Sequence, residues 1–123
     1  MNKFRKNDTA ELKKTLYYSD VHDTELTQIC TMQDGQIKIE TYNPICNKNI
    51  DFLFYDVKVF IAIKGAWGGS RTTVIAATVE EDLSYVKPFL LNYEDAKEHD
   101  LYMIFQMLSG DELHIVASEV TVE

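Results

Sequence analysis

His22 and Asp23, with Asp20 two residues before the histidine, are the residues of this chain whose types and spacing come nearest to chemistry. Imidazole and carboxylate both ligate metals and both carry protons in acid–base catalysis. The pair is incomplete by itself. A helical His-Asp phosphohydrolase needs further histidines and a distant aspartate on facing helices, and the chain offers only His99, in a polar stretch, and His114, in a β-type run. His114 alternates with Leu113 and Ile115, which places it on the solvent side of a strand. A His-Asp at the entry to a strand more commonly bonds to its own turn. His22 and Asp23 are therefore the only metal candidates, and neither a metal nor another cofactor is expected.

Other potential chemistry is thinner still. KGAWGGSR at 64–71 is glycine-rich but lacks the GxxxxGK[ST] spacing of a phosphate loop, so its glycines read first as a flexible turn. Trp67, the sole tryptophan, is expected as a lid over the sheet, or else as an exposed anchor for a partner with Arg71 beside it. No serine stands in a GxSxG elbow. Cys30 and Cys46 form no CxxC pair and read as structural or incidental thiols. No catalytic set emerges, and the chain is not expected to be an enzyme.

The elements that must carry these residues are mostly strands. Residues 50–63, IDFLFYDVKVFIAI, form the longest apolar run. Ile50, Phe52 and Phe54 share one parity, whereas Val57, Val59, Ile61 and Ile63 share the other. Strand side chains repeat every two residues, so a change of parity near Tyr55 and Asp56 predicts a β-bulge or bend. Phe60 and Ala62 then face away from Val59 and Ile61, and both faces are at least partly covered. Asp34–Gly35 between two half-alternating runs predicts a tight hairpin, with strands at about 25–32 and 36–42 and with Ile37 and Ile39 inward. TTVIAATVE, beyond the glycines, is expected to fold back across 65–71 onto the central strand. LYMIFQML and LHIVASEVTVE flank the turn SGDE as a second hairpin, and the parity change from Ala117 to Val120 predicts a second bulge near Ser118 and Glu119.

Residues 8–18 predict a short helix capped by Asp8 or Thr9, with Leu12 and Leu16 on its buried stripe and frayed basic residues before it. Residues 81–100 stay open between an irregular crossing, limited by Pro88, and a surface loop or single helical turn. The whole of 1–123 is expected to be one mainly β (α+β) domain. Its six antiparallel strands would curl into a sandwich or half-barrel beside the short N-terminal helix.

Composition narrows the class of function. With 123 residues, 46% of them hydrophobic, the chain can bury a core without staples. No run approaches the roughly twenty apolar residues of a membrane helix, and MNKFRKND does not suit a signal peptide, so a cytoplasmic protein without membrane contact is expected. A formal net charge of -8 disfavours nucleic acid. The first fourteen residues are basic, while Glu80, Glu81, Asp82, Glu94, Asp95, Glu98 and Asp100 dominate a strongly acidic second half. Such a face either keeps the protein soluble or meets a basic partner.

HDTELTQI, IDFLFYDV and SGDELHIVASEVTVE, in this order and at this chain length, resemble the small YxiG-like proteins of Bacillus and related Firmicutes. Their opening is typically His-Asp-Ser, where this chain has Thr24. The resemblance covers most of the chain from His22 onward and carries no catalytic residues across. Some such proteins are encoded beside polymorphic toxins, so it implies an immunity or other interaction role. The expected function is then non-catalytic protein binding, with Trp67, Arg71, Glu80, Glu81, Asp82, Glu94, Asp95 and Glu98 as contact residues for a basic toxin domain. The alternatives are a small metal-dependent or acid–base enzyme built on His22 and Asp23, and a self-assembling subunit that pairs, as a dimer for instance, through an exposed sheet edge.

Overall fold

Seven antiparallel strands and two helices form the structure, a computed structural model that describes residues 2–19, 21–66 and 68–123. The strands are β1 (Lys3–Arg5), β2 (Thr24–Thr31), β3 (Ile37–Asn43), β4 (Lys48–Ile63), β5 (Thr73–Glu80), β6 (Leu101–Met107) and β7 (Glu112–Val122). Helix α1 spans Thr9–Tyr18 and α2 spans Tyr93–His99. The expectations placed on Trp67 and Asp20 lie outside the described residues.

Two three-stranded meanders, β2-β3-β4 and β5-β6-β7, join along both margins: β4 pairs with β7, and β2 pairs with β5. With β6 also paired to β7, the six strands close into a barrel. The curl expected from the bulges is thus carried to full closure, which removes most free edges. The barrel interior holds Ile39, Phe52, Phe54, Met103, Phe105, Ile115 and Val120, and the same apolar cluster takes in Leu12 and Leu16 of α1. Phe105 meets Phe52 edge-on at 5.0 Å between ring centroids.

The central strand bends at Asp56, as the parity change predicts, but its extra residue lies two positions further on. Asp56 adopts a left-handed φ of 52°, and β4 carries one extra residue, Lys58, between the pairs Val57↔Ala117 and Val59↔Val116. Phe60 then joins the interior while Val59 and Ile61 turn outward to a second cluster. The matching parity change in β7 is also present, since both Ala117 and Val120 face inward. There, however, the β4–β7 register runs on unshifted from Tyr55↔Glu119 to Val57↔Ala117, so the extra residue belongs to β4 alone. Ser118 marks instead the place where the outer edge of β7 passes from β6 to β1.

Three expectations are corrected. The N-terminal basic residues are not frayed: Lys3–Arg5 pair with Glu119–Thr121 of β7, and Phe4 is fully buried in the core. One apolar residue between two cations carries no readable period, which is why this strand is silent in the sequence. Strand β5 does not fold back onto β4. The upper half of β4 is already paired with β7, so β5 crosses to lie between β2 and β6. The crossing loop is fixed by Asp111, whose Oδ1 accepts the Gly65 N–H at 2.6 Å and whose Oδ2 lies 2.8 Å from Arg71. A Cβ at Gly65 would fall 2.2 Å from the carbonyl carbon of Gly110, so only glycine permits this approach. His114, finally, is buried rather than on a solvent face.

Residues 81–100 cover the outer face of β4, β6 and β7. A 3-10 turn over Ser84–Phe89 contains Pro88, which cannot continue a helix, and α2 follows after the Asn92 cap, whose side chain accepts the Asp95 N–H at 3.1 Å. Leu83, Val86 and Ala96 from this cover pack with Val59, Tyr102 and Val116 from the barrel wall.

Candidate functional site

The bulge in β4 and the segment 81–100 place the charged groups of the outer wall. As the extra residue of the bulge, Lys58 turns away from the interior, and its Nζ lies 2.9 Å from Asp56 Oδ2 and 3.2 and 3.3 Å from the two oxygens of Asp100. Asp100 is the C-cap residue just after α2, and its side chain is only 2% exposed. Burial pushes its carboxyl above the ordinary aspartate value of 3.8, against the pull of Lys58. The Lys58 ammonium is itself raised: its bonds to Asp56 and Asp100 outweigh a burial effect that is individually the largest and acts downward. Between the bulge and α2 lies a cleft of about 260 Å³, walled by Val57, Leu90, Leu91 and Ala96, with Asn92, Asp95, Lys58 and Asp100 supplying polar groups. Leu91 is fully exposed at its rim.

At the other end of the same cover is a buried polar chain. The Tyr102 hydroxyl lies 2.6 Å from His114 Nδ1, and His114 Nε2 lies 2.9 Å from Glu112 Oε1. With a carboxylate accepting at Nε2, that nitrogen carries the proton and Nδ1 accepts from the phenol. Burial, reinforced by Glu80 and other neighbours, raises the Tyr102 phenol to about 12. The His114 bond lowers the Glu112 carboxyl. Tyr85 stacks on the imidazole at 4.9 Å, which explains why alternation alone misplaced His114: the outward face of β7 is roofed by a distant segment. The order carboxylate–imidazole–hydroxyl resembles an activated nucleophile. A phenol held protonated under an aromatic roof is instead a fastening between the wall and its cover.

His22 and Asp23 occupy the turn before β2, where Asp23 has φ 67° and its N–H donates to the Val74 carbonyl at 2.6 Å. His22 lines an open groove of about 510 Å³ between α1 and β5 with Lys13, Tyr17 and Glu80. Among the described residues no group of three or more His, Cys, Asp or Glu is placed to hold a metal ion. Cys30 and Cys46 are free thiols.

The expected contact residues divide. Glu80 ends β5, Asp82 accepts the Ser84 N–H at 2.9 Å and is lowered by its bonds to Ser84, and Glu94, Asp95 and Glu98 lie on α2. All flank the cover. Arg71 does not join them: it sits beside Asp111, at the opposite end of β6 from α2. His99 is the last residue of α2 rather than a loop residue, with Nδ1 3.2 Å from Asp95 Oδ1. Lys58 was not foreseen as a site residue, although the parity change beside it was the available signal. Of the basic N-terminal residues, Lys3 and Arg5 pair with Glu119 at 3.6 and 2.9 Å.

No protein-family model, curated protein or solved structure matches the chain. No helix of the described residues is long and apolar enough to cross a membrane.

Proposed function

We propose that this is a non-catalytic binding protein that meets a basic partner protein through the acidic cover formed by residues 80–100. The observation that carries this reading is a charge imbalance held on a fixed surface. Among the described residues Glu81, Glu94 and Glu98 have no ion-pair partner; of the two lysines in the segment, Lys87 is placed over the Tyr93 ring, 4.6 Å from its centroid, and Lys97 likewise forms no ion pair, so the segment's seven carboxylates outnumber its lysines. Unneutralised carboxylates on one face raise the local concentration of a cationic partner and speed its encounter, with an advantage that fades as salt rises. The resemblance to YxiG-like proteins adds the biological form of the reading: an immunity protein of the bacterial cytoplasm that covers a basic site on a toxin domain.

Barrel closure weakens the alternative of self-assembly through a sheet edge, since a closed barrel leaves few edges to pair. No specific observation favours a reaction at His22 and Asp23. The test is capture of a basic protein from native lysate at low and moderate salt, by the unaltered chain and by a variant with Glu81, Glu94 and Glu98 changed to Gln. Salt-sensitive capture that the variant loses supports the reading; equal capture by both removes the acidic cover from it.

A further inference from the structure

We infer that the cleft between the β4 bulge and α2 receives one basic side chain, lysine or arginine, from the protein partner, an inference that rests on the binding reading above. The cleft has the two parts such a side chain needs. Its walls are Val57, Leu90, Leu91 and Ala96, against which an aliphatic stem can lie, and Leu91 is fully exposed at the rim. Its polar groups are Asp95, Asn92 and the buried Asp100. Asp56 and Asp100 both contact the single ammonium of Lys58, and Asp95 adds a further carboxylate to the cleft lining, 3.2 Å from His99, so carboxylates outnumber the lysine there. A carboxylate or phosphate is repelled by that excess, and a neutral apolar group leaves it unanswered. A cation with an apolar stem satisfies both parts. The volume of about 260 Å³ is of side-chain size rather than the size of a larger organic ligand.

The bulge makes the site. The extra residue lets Val57 pair with inward-facing Ala117 while both Lys58 and Val59 lie on the outer side of β4, so the ammonium and the opening beside Val57 stand together at the end of α2.

The test titrates the protein with N-acetyl-arginine methylamide and N-acetyl-lysine methylamide while following backbone amide NMR shifts. N-acetyl-norleucine methylamide serves as the uncharged control. Saturable shifts at Val57, Lys58, Leu91 and Ala96 are expected for the cationic probes. Affinity should fall about fivefold in Asp95→Asn and Leu91→Ala, both surface changes compatible with folding, and stay constant in Glu11→Gln, an exposed position on α1. Equal binding of the norleucine probe, or shifts absent from these four amides, overturns the inference. Capture of a basic partner that is untouched by Asp95→Asn and Leu91→Ala also overturns it while leaving the binding function in place. Cleft binding of the cationic probes without any captured partner supports the cleft and counts against the function instead.

Discussion

Lys58 and Asp100, 42 positions apart in sequence, are joined by two contacts of 3.2 and 3.3 Å at the outer face of the barrel, and the bulge in β4 exists in register with that pair. Asp100 is buried, whereas Lys58 is partly exposed and holds Asp56 as a second partner. The pair is therefore asymmetric: losing the lysine strands a buried charge, and losing the aspartate does not.

Lys58→Met is expected to destabilise the fold by about 3 kcal/mol at neutral pH, because an uncompensated carboxylate remains inside. Asp100→Asn should cost less, since Lys58 keeps Asp56. Because the folded state raises the Asp100 carboxyl above 3.8, protonation favours folding. Its contribution to stability is full below that value and is lost as pH rises through the folded pKa. The Lys58→Met penalty should accordingly shrink as pH is lowered from neutral toward 3.8. Denaturant unfolding of both variants across that range checks the order and the slope.

Tyr102→Phe should cost about 1–2 kcal/mol, the price of leaving His114 Nδ1 buried without its donor. The same change should abolish the tyrosine that titrates at about 12 in an ultraviolet pH titration of the folded protein. A raised phenol pKa means stability present at neutral pH and lost as pH climbs from the ordinary value of 10.0 through about 12, so the variant should also flatten alkaline unfolding.

Phe4→Ala tests whether the N-terminal strand belongs to the core. A fully buried phenylalanine removed from a packed cluster is expected to cost about 3–4 kcal/mol, measured by thermal or urea unfolding. A frayed N-terminus would give almost no change.

What the sequence showed of this fold was local. The parity change at Tyr55–Asp56, the left-handed Asp34–Gly35 turn and the Leu12–Leu16 stripe each declare themselves within a few residues; the turn and the stripe stand where they were expected, and the extra residue of the bulge stands at Lys58, just beyond. Pairing over distance was not readable. Nothing within TTVIAATVE distinguishes β4 from β2 and β6 as its neighbour; that choice depends on β7 having already taken the upper edge of β4. The candidate site follows the same rule. The acidic residues were visible as composition, but the cleft requires Lys58 from a bulge and Asp100 from the end of α2 to meet. The roof of Tyr85 over His114 likewise joins segments that no periodicity connects.

The central claim, contact with a basic partner through the acidic cover, is tested most directly by quantitative capture from native lysate, comparing the unaltered chain with the Glu81, Glu94 and Glu98 to Gln variant at low and moderate salt. The account predicts one dominant basic protein, bound at low salt, weakened at moderate salt and lost with the variant. No partner at low salt, or a partner held equally by both chains, would contradict it.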